Sequence, residues 1–322
     1  MITIDGSIGE SGGQILRTAL TLSAITGKEF EIVNIRAGRP NPGLAMQHLT
    51  AVKAVRSICR GRVEGADLGS RALKFFPGEI VGGRYDFNIG TAGSVILVAQ
   101  TVLPILLYAK KKSVVRITGG THVMKSPGYD YFEKVFLPAV RSMGAIVESK
   151  LLRSGYYPKG GGEIEMEIEP STLHGKTKWE KESEVHVIIR LGSLPLSIAM
   201  REKKIFLQND INDVAIREEK TLSPGNAITV WSGFNGVYVQ GEKGKRAEVV
   251  AQEALDAFRA ESGDVDRHLA DQLLLFGALA DGETRYTTSE ITQHLRTNAE
   301  VIKYFVERGI TISEKDKTVT IK

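Results

Sequence analysis

Two periodicities alternate along this chain. Apolar residues recur every three to four positions over 12–26, 44–59, 129–143 and 268–279, from the Gly90-Thr91-Ala92-Gly93 turn to about 108, and after residue 294. That spacing predicts helices with one buried face, and the period-two segments between them predict half-buried strands. In order, a strand (2–4), a Gly-rich turn, a helix (12–26), a strand (30–35), a helix opened by Pro42-Gly43 (44–59) and a β-like stretch (62–76) form a first unit. The order recurs from a strand at 85–89, through a strand at 113–118 and the helix 129–143 that follows Pro127-Gly128, to β segments ending near 169. A third pass has the helix 268–279, a strand (284–288), the helix after His294 and a terminal pair of strands (311–313 and 318–321).

One supersecondary unit stated three times predicts an α+β fold with a single large pseudo-symmetric body, its helix pairs packed on four-stranded sheets. Residues 184–263 break the rhythm. They carry strands at 185–190, 211–217, 227–231 and 237–240, a short helix and a longer one over 245–260. The polar stretch 172–183 reads as the way in and 261–264 as the way out. The organisation expected is therefore a large three-repeat domain, 1–183 with 264–322, carrying an inserted small α+β domain, 184–263.

Composition changes this picture little. A chain of 322 residues has room for one large or two ordinary domains, and 42% hydrophobic with 25% charged residues describes a globular protein. Its 34 glycines cluster (9, 12 and 13; 82 and 83; 119 and 120; 160–162), which suggests tight turns where backbone approaches a ligand. A net charge of +4 permits a nucleic-acid partner without announcing one, so any phosphate binding has to come from local arginines. Cys59, the single cysteine, excludes an internal disulfide and a thiolate zinc site and fits a reducing compartment. The apolar stretch 95–109 is interrupted by Gln100 and Pro104 and is too short to span a bilayer, and no basic-then-apolar leader follows Met1. The expectation is a soluble, cytoplasmic protein with no membrane partner.

The candidate chemistry begins at Gln293-His294-Leu295-Arg296-Thr297-Asn298. His294 stands at the start of a helix, where unpaired N–H groups and a partial positive charge suit a phosphate, and where a neutral imidazole can attack phosphorus. Alone it reads as a polar cap on a surface helix; its company changes that. Glu10, Gln14 and Arg17, spaced by four and three, fall on one face of the first helix just beyond a Gly-rich turn. Arg36 and Arg39 leave a strand on a loop stiffened by Pro40 and Pro42, offering donor forks shaped for phosphate oxygens. Gln47 and His48 open the second helix. Asp271 and Gln272, with His268, head another, where Asp271 either orients an imidazole or caps its helix. His122 follows a strand and is a further cleft candidate. No complete P-loop precedes Gly175-Lys176-Thr177, and no Gly-x-Gly-x-x-Gly follows a strand.

Taken together, these segments resemble the RNA 3′-terminal phosphate cyclases. The matching motifs are Ile4-Asp5-Gly6 with Gly9 to Arg17, Ile35 to Arg39 with Pro42-Gly43-Leu44, Gln47 to Val52, Gly90 to Ser94, Gly155 to Pro158 with Gly160 to Gly162, Leu269 to Gln272, and His294 to Asn298. The resemblance covers essentially the whole chain and is weakest in the insertion. It implies three repeats akin to the C-terminal domain of translation initiation factor 3, with an active site in the cleft of the large body. It also implies ATP and a divalent ion (Mg2+ or Mn2+) as cofactors and an RNA bearing a 3′-phosphate as partner, with homo-oligomerisation left open. In that reaction His294 takes AMP from ATP, AMP passes to the RNA 3′-phosphate, and the vicinal 2′-hydroxyl displaces it to close a 2′,3′-cyclic phosphate. Glu10 would contact the metal. Arg17, Arg36, Arg39 and Gln47 would hold phosphate or the RNA end, with His48 and Gln100 nearby. Pro127 and His268 would flank the adenine, His268 replacing the tyrosine common in bacterial relatives, and Asp271 with Gln272 would face the ATP site. Two other readings compete: a non-catalytic cyclase-like protein of ribosomal RNA processing, which as a group lacks the histidine, and an enolpyruvyl transferase of similar topology.

Overall fold

The computed structural model describes all residues, 1–322, as a mixed α+β chain with several four-stranded sheets. Strands β1 (Ile2–Asp5) and β2 (Phe30–Val33) pair in parallel across α1 (Gly13–Thr26). Helix α2 (Met46–Ile58) then leads to β3 (Arg62–Glu64) and β4 (Leu73–Phe76), giving the order β1-β2-β4-β3. The next stretch repeats this wiring. β5 (Arg84–Asn88), α3 (Val95–Leu107) and β6 (Ser113–Gly119) precede a second helical run, made of α4 (Tyr129–Tyr131), a π-helical segment (Phe132–Phe136) and α5 (Leu137–Ser142). With β7 (Ile146–Arg153) and β8 (Gly162–Glu169) the order is β5-β6-β8-β7, the first pair again parallel.

The insertion builds a sheet of its own. β9 (His186–Gly192), α6 (Leu196–Leu207), β10 (Asp213–Glu219), β11 (Gly225–Ser232), β12 (Asn235–Gln240) and α7 (Ala247–Ala260) give the order β10-β9-β11-β12. A core of 13 buried residues, Val187, Ile189, Phe206 and Leu255 among them, lies under it, separate from a core of 66 in the rest of the chain.

The last unit has the three strands read from its own segment, one fewer than the four-stranded sheet expected of the repeat. α8 (Arg267–Leu279), β13 (Thr284–Thr287), α9 (Gln293–Lys303), β14 (Ile310–Ser313) and β15 (Thr318–Ile321) form a sheet of three strands, β13-β15-β14, not four. The vacant edge is covered by an irregular extended segment that precedes the insertion. There the Arg285 N–H donates to Lys176 O at 2.9 Å, the Gly175 N–H to Asp281 O at 2.7 Å, and the Trp179 indole to Arg285 O at 2.8 Å. A Cβ on Gly175 would stand 2.3 Å from Glu283 O, so the two backbones touch too closely for a regular ladder.

Caps set the helix starts that matter for the site. The Asp266 carboxylate accepts from the His268 and Leu269 N–H groups at 2.9 and 2.8 Å and opens α8. The Thr292 hydroxyl accepts from the Leu295 N–H at 3.1 Å and opens α9, and Ser94 does the same for α3. α3 is apolar on nearly every side because α1, α2 and two strands pack around it. With α3 at the centre, the early turns of α1, α2, α3, α8 and α9 open on one cleft. No helix is long and apolar enough to cross a membrane.

Candidate functional site

The cleft has a volume of about 1290 Å³, and every candidate residue taken from the sequence except His122 lines it. His294 is the second residue of α9. Its Nδ1 is hydrogen-bonded to Gln14 Oε1, and the Gln14 amide donates on to Asp271 Oδ1 at 3.3 Å. An amide turned this way offers the ring an acceptor, so Nδ1 carries a proton and Nε2 is the nitrogen left for chemistry. That Nε2 lies 2.7 Å from Glu10 Oε2, which is itself 3.7 Å from the Arg39 guanidinium. Burial lowers the pKa of His294, with Arg17 and Arg39 pushing the same way and Glu10 opposing.

Glu10 reaches this place differently from the expectation. It is not on the first helix; α1 starts at Gly13, and Glu10 sits in the preceding turn, between Gly9 and Ser11 at φ of 56° and 50°. Two left-handed residues fold the turn back so that the carboxylate meets His294. A Cβ on Gly9 would fall 2.0 Å from Thr297 Oγ1, so this turn packs directly on α9. Gly13 serves the opposite wall, since a Cβ there would stand 2.0 Å from His48 Nε2 and 3.1 Å from Arg17.

Arg17 makes no ion pair, and burial lowers its pKa to about 10 against the pull of Asp271. A cation held in the wall without a partner is a receptor for an anion. Arg36, held at φ 54°, donates to Gly43 O at 2.7 Å, and the half-exposed Arg39 stands beside it. His48 is 5% exposed and accepts the Ala45 N–H at 3.3 Å. Burial, then Arg17 and Arg36, depress its pKa to about 3, so the ring is neutral. Burial pushes the Asp271 carboxyl up to about 7, with Asp266 and Glu10 adding to this and Arg17 opposing it.

The remaining candidates divide between open and engaged. Gln47 Oε1 accepts the Ser94 N–H at 3.0 Å, tying α2 to the start of α3. Gln100 donates to Gln272 Oε1 at 2.6 Å across the cleft floor. Pro127, ahead of α4, and the exposed His268, on the first turn of α8, both face the cleft.

His122 is the candidate that the structure removes. It is wholly buried, its Nε2 3.1 Å from Asp130 Oδ2, and Asp130 in turn takes two hydrogen bonds from Arg190 at 2.6 and 2.9 Å. The chain turns inward after β6 and stacks this ring on Tyr156, so His122 joins the insertion to the body and does not touch the cleft lumen.

Several contributors escaped the sequence reading. Gln14 was placed on the right face but given no part. Asn298 donates to Asp271 O at 3.0 Å and accepts from the Thr18 hydroxyl at 2.7 Å, bracing α9 on α1 and α8; its place in the His294 segment was the one available signal. The insertion supplies a whole wall, through Val237, Tyr238 and Gln240 of β12 and Lys245 and Glu253 near α7. Asp266 anchors that wall: it accepts the Gly236 N–H at 3.0 Å and the Tyr131 hydroxyl at 2.8 Å while capping α8. No local pattern marked those residues.

Comparison with known proteins finds the same family along nearly the whole chain. The family model described as RNA 3′-terminal phosphate cyclase matches residues 8–312. A protein of that name from Archaeoglobus fulgidus is 46% identical over 319 residues, covering 96% of this chain and 97% of the relative. Another from Sulfurisphaera tokodaii is 44% identical over 331 residues, covering 97% and 96%. One from the more distant Nostoc punctiforme is 40% identical over 347 residues, covering 100% and 99%.

Proposed function

The chain belongs to the RNA 3′-terminal phosphate cyclase family, and from that premise we propose that it uses ATP to convert an RNA 3′-phosphate into a 2′,3′-cyclic phosphodiester through a histidine–AMP intermediate. The observation that carries the reading is His294, whose Nε2 is presented at the head of α9 in a cleft onto which five helix starts and the unpaired guanidinium of Arg17 open. We read the three sheets as copies of one initiation-factor-3 C-terminal-like unit, with 1–183 and 264–322 as the catalytic body and 184–263 inserted into it.

Chemically, His294 Nε2 attacks the α-phosphorus of ATP, forming an N–P bond as the bond to pyrophosphate breaks. An oxygen of the RNA 3′-phosphate then attacks the same phosphorus, breaking N–P and leaving an RNA-adenylate. The 2′-hydroxyl attacks the RNA phosphorus, closes the ring, loses its proton and expels AMP. That last step is intramolecular and gains from proximity. Arg17, Arg36 and Arg39 offset charge as one anion attacks another, and the fixed amide of Gln14 holds the ring for in-line attack.

Glu10 acts in two ways in this scheme. At 2.7 Å it stands directly in front of Nε2, so the carboxylate has to turn aside before the ring can attack. A single half-exposed carboxylate, whose protein partners are Arg39 and His294, also fits a divalent ion whose other ligands are nucleotide phosphates and water. Such an ion, Mg2+ or Mn2+, would neutralise the triphosphate and favour release of pyrophosphate. Pro127 and His268 are the surfaces for the adenine, and Asp271 and Gln272 close the nucleotide side of the cleft.

The test is incubation with α-labelled ATP and either metal, followed by denaturing electrophoresis of the wild type and His294→Ala. Acid-labile label present in the first and absent from the second supports the reading. No label in the wild type, with or without a 3′-phosphorylated RNA, overturns it.

A further inference from the structure

Charge is distributed unevenly along this chain. Between Glu31 and Glu64 there is no carboxylate, yet there are six cations: Arg36, Arg39, Lys53, Arg56, Arg60 and Arg62. That one segment carries more positive charge than the net +4 of the whole protein. It begins at the cleft, with Arg36 and Arg39 in the wall, and continues through α2, whose first turn brings Gln47 and His48 into the same wall. From there α2 runs outward for 13 residues, about 20 Å at 1.5 Å per residue.

Lys53, Arg56, Ser57 and Arg60 are all exposed; steps of three and four put the first three on one face of α2, and Arg60 follows in the turn just past its end. At its outer end Lys53, Arg56, Ser57, Arg60 and Gly61 enclose a notch of about 500 Å³ with no carboxylate and no apolar side chain in its lining. None of its three cations makes an ion pair, whereas Arg62, at the end of the run, is paired with Glu64. A basic residue in the last turn of a helix complements the macrodipole, but that explains one such residue and not a stripe beginning at Lys53.

We infer that the outer face of α2 is a track for the phosphodiester backbone of the RNA upstream of its reacting end. This deepens the proposed function and rests on it: a 3′-phosphate held by the cleft arginines leaves the preceding nucleotides to run outward, and beyond the buried residues 49–52 the exposed face of α2 offers them a patch of unpaired cations. The residues present are cations without aromatic side chains among them, so the track reads backbone charge and not base identity. It favours long single strands over short ones and does not select sequence.

The test compares wild type with Lys53→Ala/Arg56→Ala/Arg60→Ala, using a long single-stranded RNA 3′-phosphate and a dinucleotide 3′-phosphate as substrates. The expected result is a KM for the long RNA raised about tenfold or more at low salt, with its salt slope shallower by about 2, one contribution of about 0.7 per lost contact. The dinucleotide KM and RNA-independent labelling by ATP stay at wild-type values, which also reports that the variant is folded. The charge-conserving variant Lys53→Arg/Arg56→Lys/Arg60→Lys keeps the wild-type KM for long RNA. An unchanged KM for long RNA, or an equal rise for the dinucleotide, overturns the track while leaving the cyclase reading in place. Loss of binding to anionic phospholipid vesicles alone overturns it too, since the stripe would then serve a membrane surface. A wild type that takes label from ATP but closes no cyclic end on either RNA overturns the function and the track with it.

Discussion

Two clusters in this protein are built from the same parts, a histidine, a carboxylate and an arginine, yet they do opposite things. In one, His122, Asp130 and Arg190 are buried together; Thr121 meets the ring at 2.9 Å, Arg190 also reaches Glu219 at 2.7 Å, and Glu219 takes the Ser154 N–H at 3.0 Å. Each charge has its partner. In the other, His294, Glu10 and Arg17 share a cleft wall, the histidine is 40% exposed, and Arg17 has no partner at all. Residue types do not separate a staple from a reactive centre. What separates them is whether each polar group is already satisfied: a complete network holds two parts of a chain together, and an incomplete one is a receptor.

The sharpest way to break this contrast is His294→Ala. It abolishes labelling by ATP while the melting temperature stays within a degree or so of wild type, because a half-exposed side chain at the head of a helix contributes little to stability. A variant that still takes up label would move the reactive centre elsewhere. The mirror experiment is Arg190→Ala, which leaves Asp130 buried with His122 as its one remaining side-chain partner and costs about 3–5 kcal/mol in thermal or denaturant unfolding. Labelling per folded molecule at low temperature is retained; a loss of labelling without a loss of stability would make the buried network part of the chemistry.

Arg17→Met tests the receptor side. Removing an unpartnered, desolvated cation leaves stability unchanged or slightly raised, while the rate of AMP transfer falls about 100-fold in single-turnover assays. Gln14→Leu removes the acceptor that holds Nδ1, and the same assay loses about tenfold as the ring is freed to turn. The smallest effect is on pH. Transfer falls as acid protonates His294, and because burial lowers its pKa the acid limb lies below pH 6.5. Arg17 contributes to that lowering, so in Arg17→Met the limb moves up. A limb that moves down would mean that another group is titrating.

Much of this was legible beforehand, and the exceptions have a common cause. The strand and helix order of the first two units could be read because apolar periodicity is a local property, set by which face of each element is buried. The cleft residues could be named because a histidine at a helix start, arginines on a proline-stiffened loop and a Gly-rich turn carry their chemistry within a few positions of sequence. The third sheet has the three strands its own sequence marks, and the fourth that the repeat led one to expect is replaced by an edge segment, Gly175 to Trp179, that pairs through scattered backbone contacts without a strand pattern. Glu10 was put on a helix because its spacing from Gln14 fits one, whereas two left-handed residues around it make a turn.

What the sequence determined by itself, then, is the inventory: the elements, the repeated wiring, the family and the reactive residue types. Which of those residues face one another was decided only by tertiary structure. Gln14 and His294 are 280 positions apart, and only the packing of α1 on α9 turns an amide on one into the tether of an imidazole on the other. The insertion became a wall of the cleft through Asp266, a carboxylate that caps one helix and also holds a hairpin 30 residues earlier. Periodicity records which face of an element is buried; it does not record what that face meets, and the chemistry here depends on the meeting.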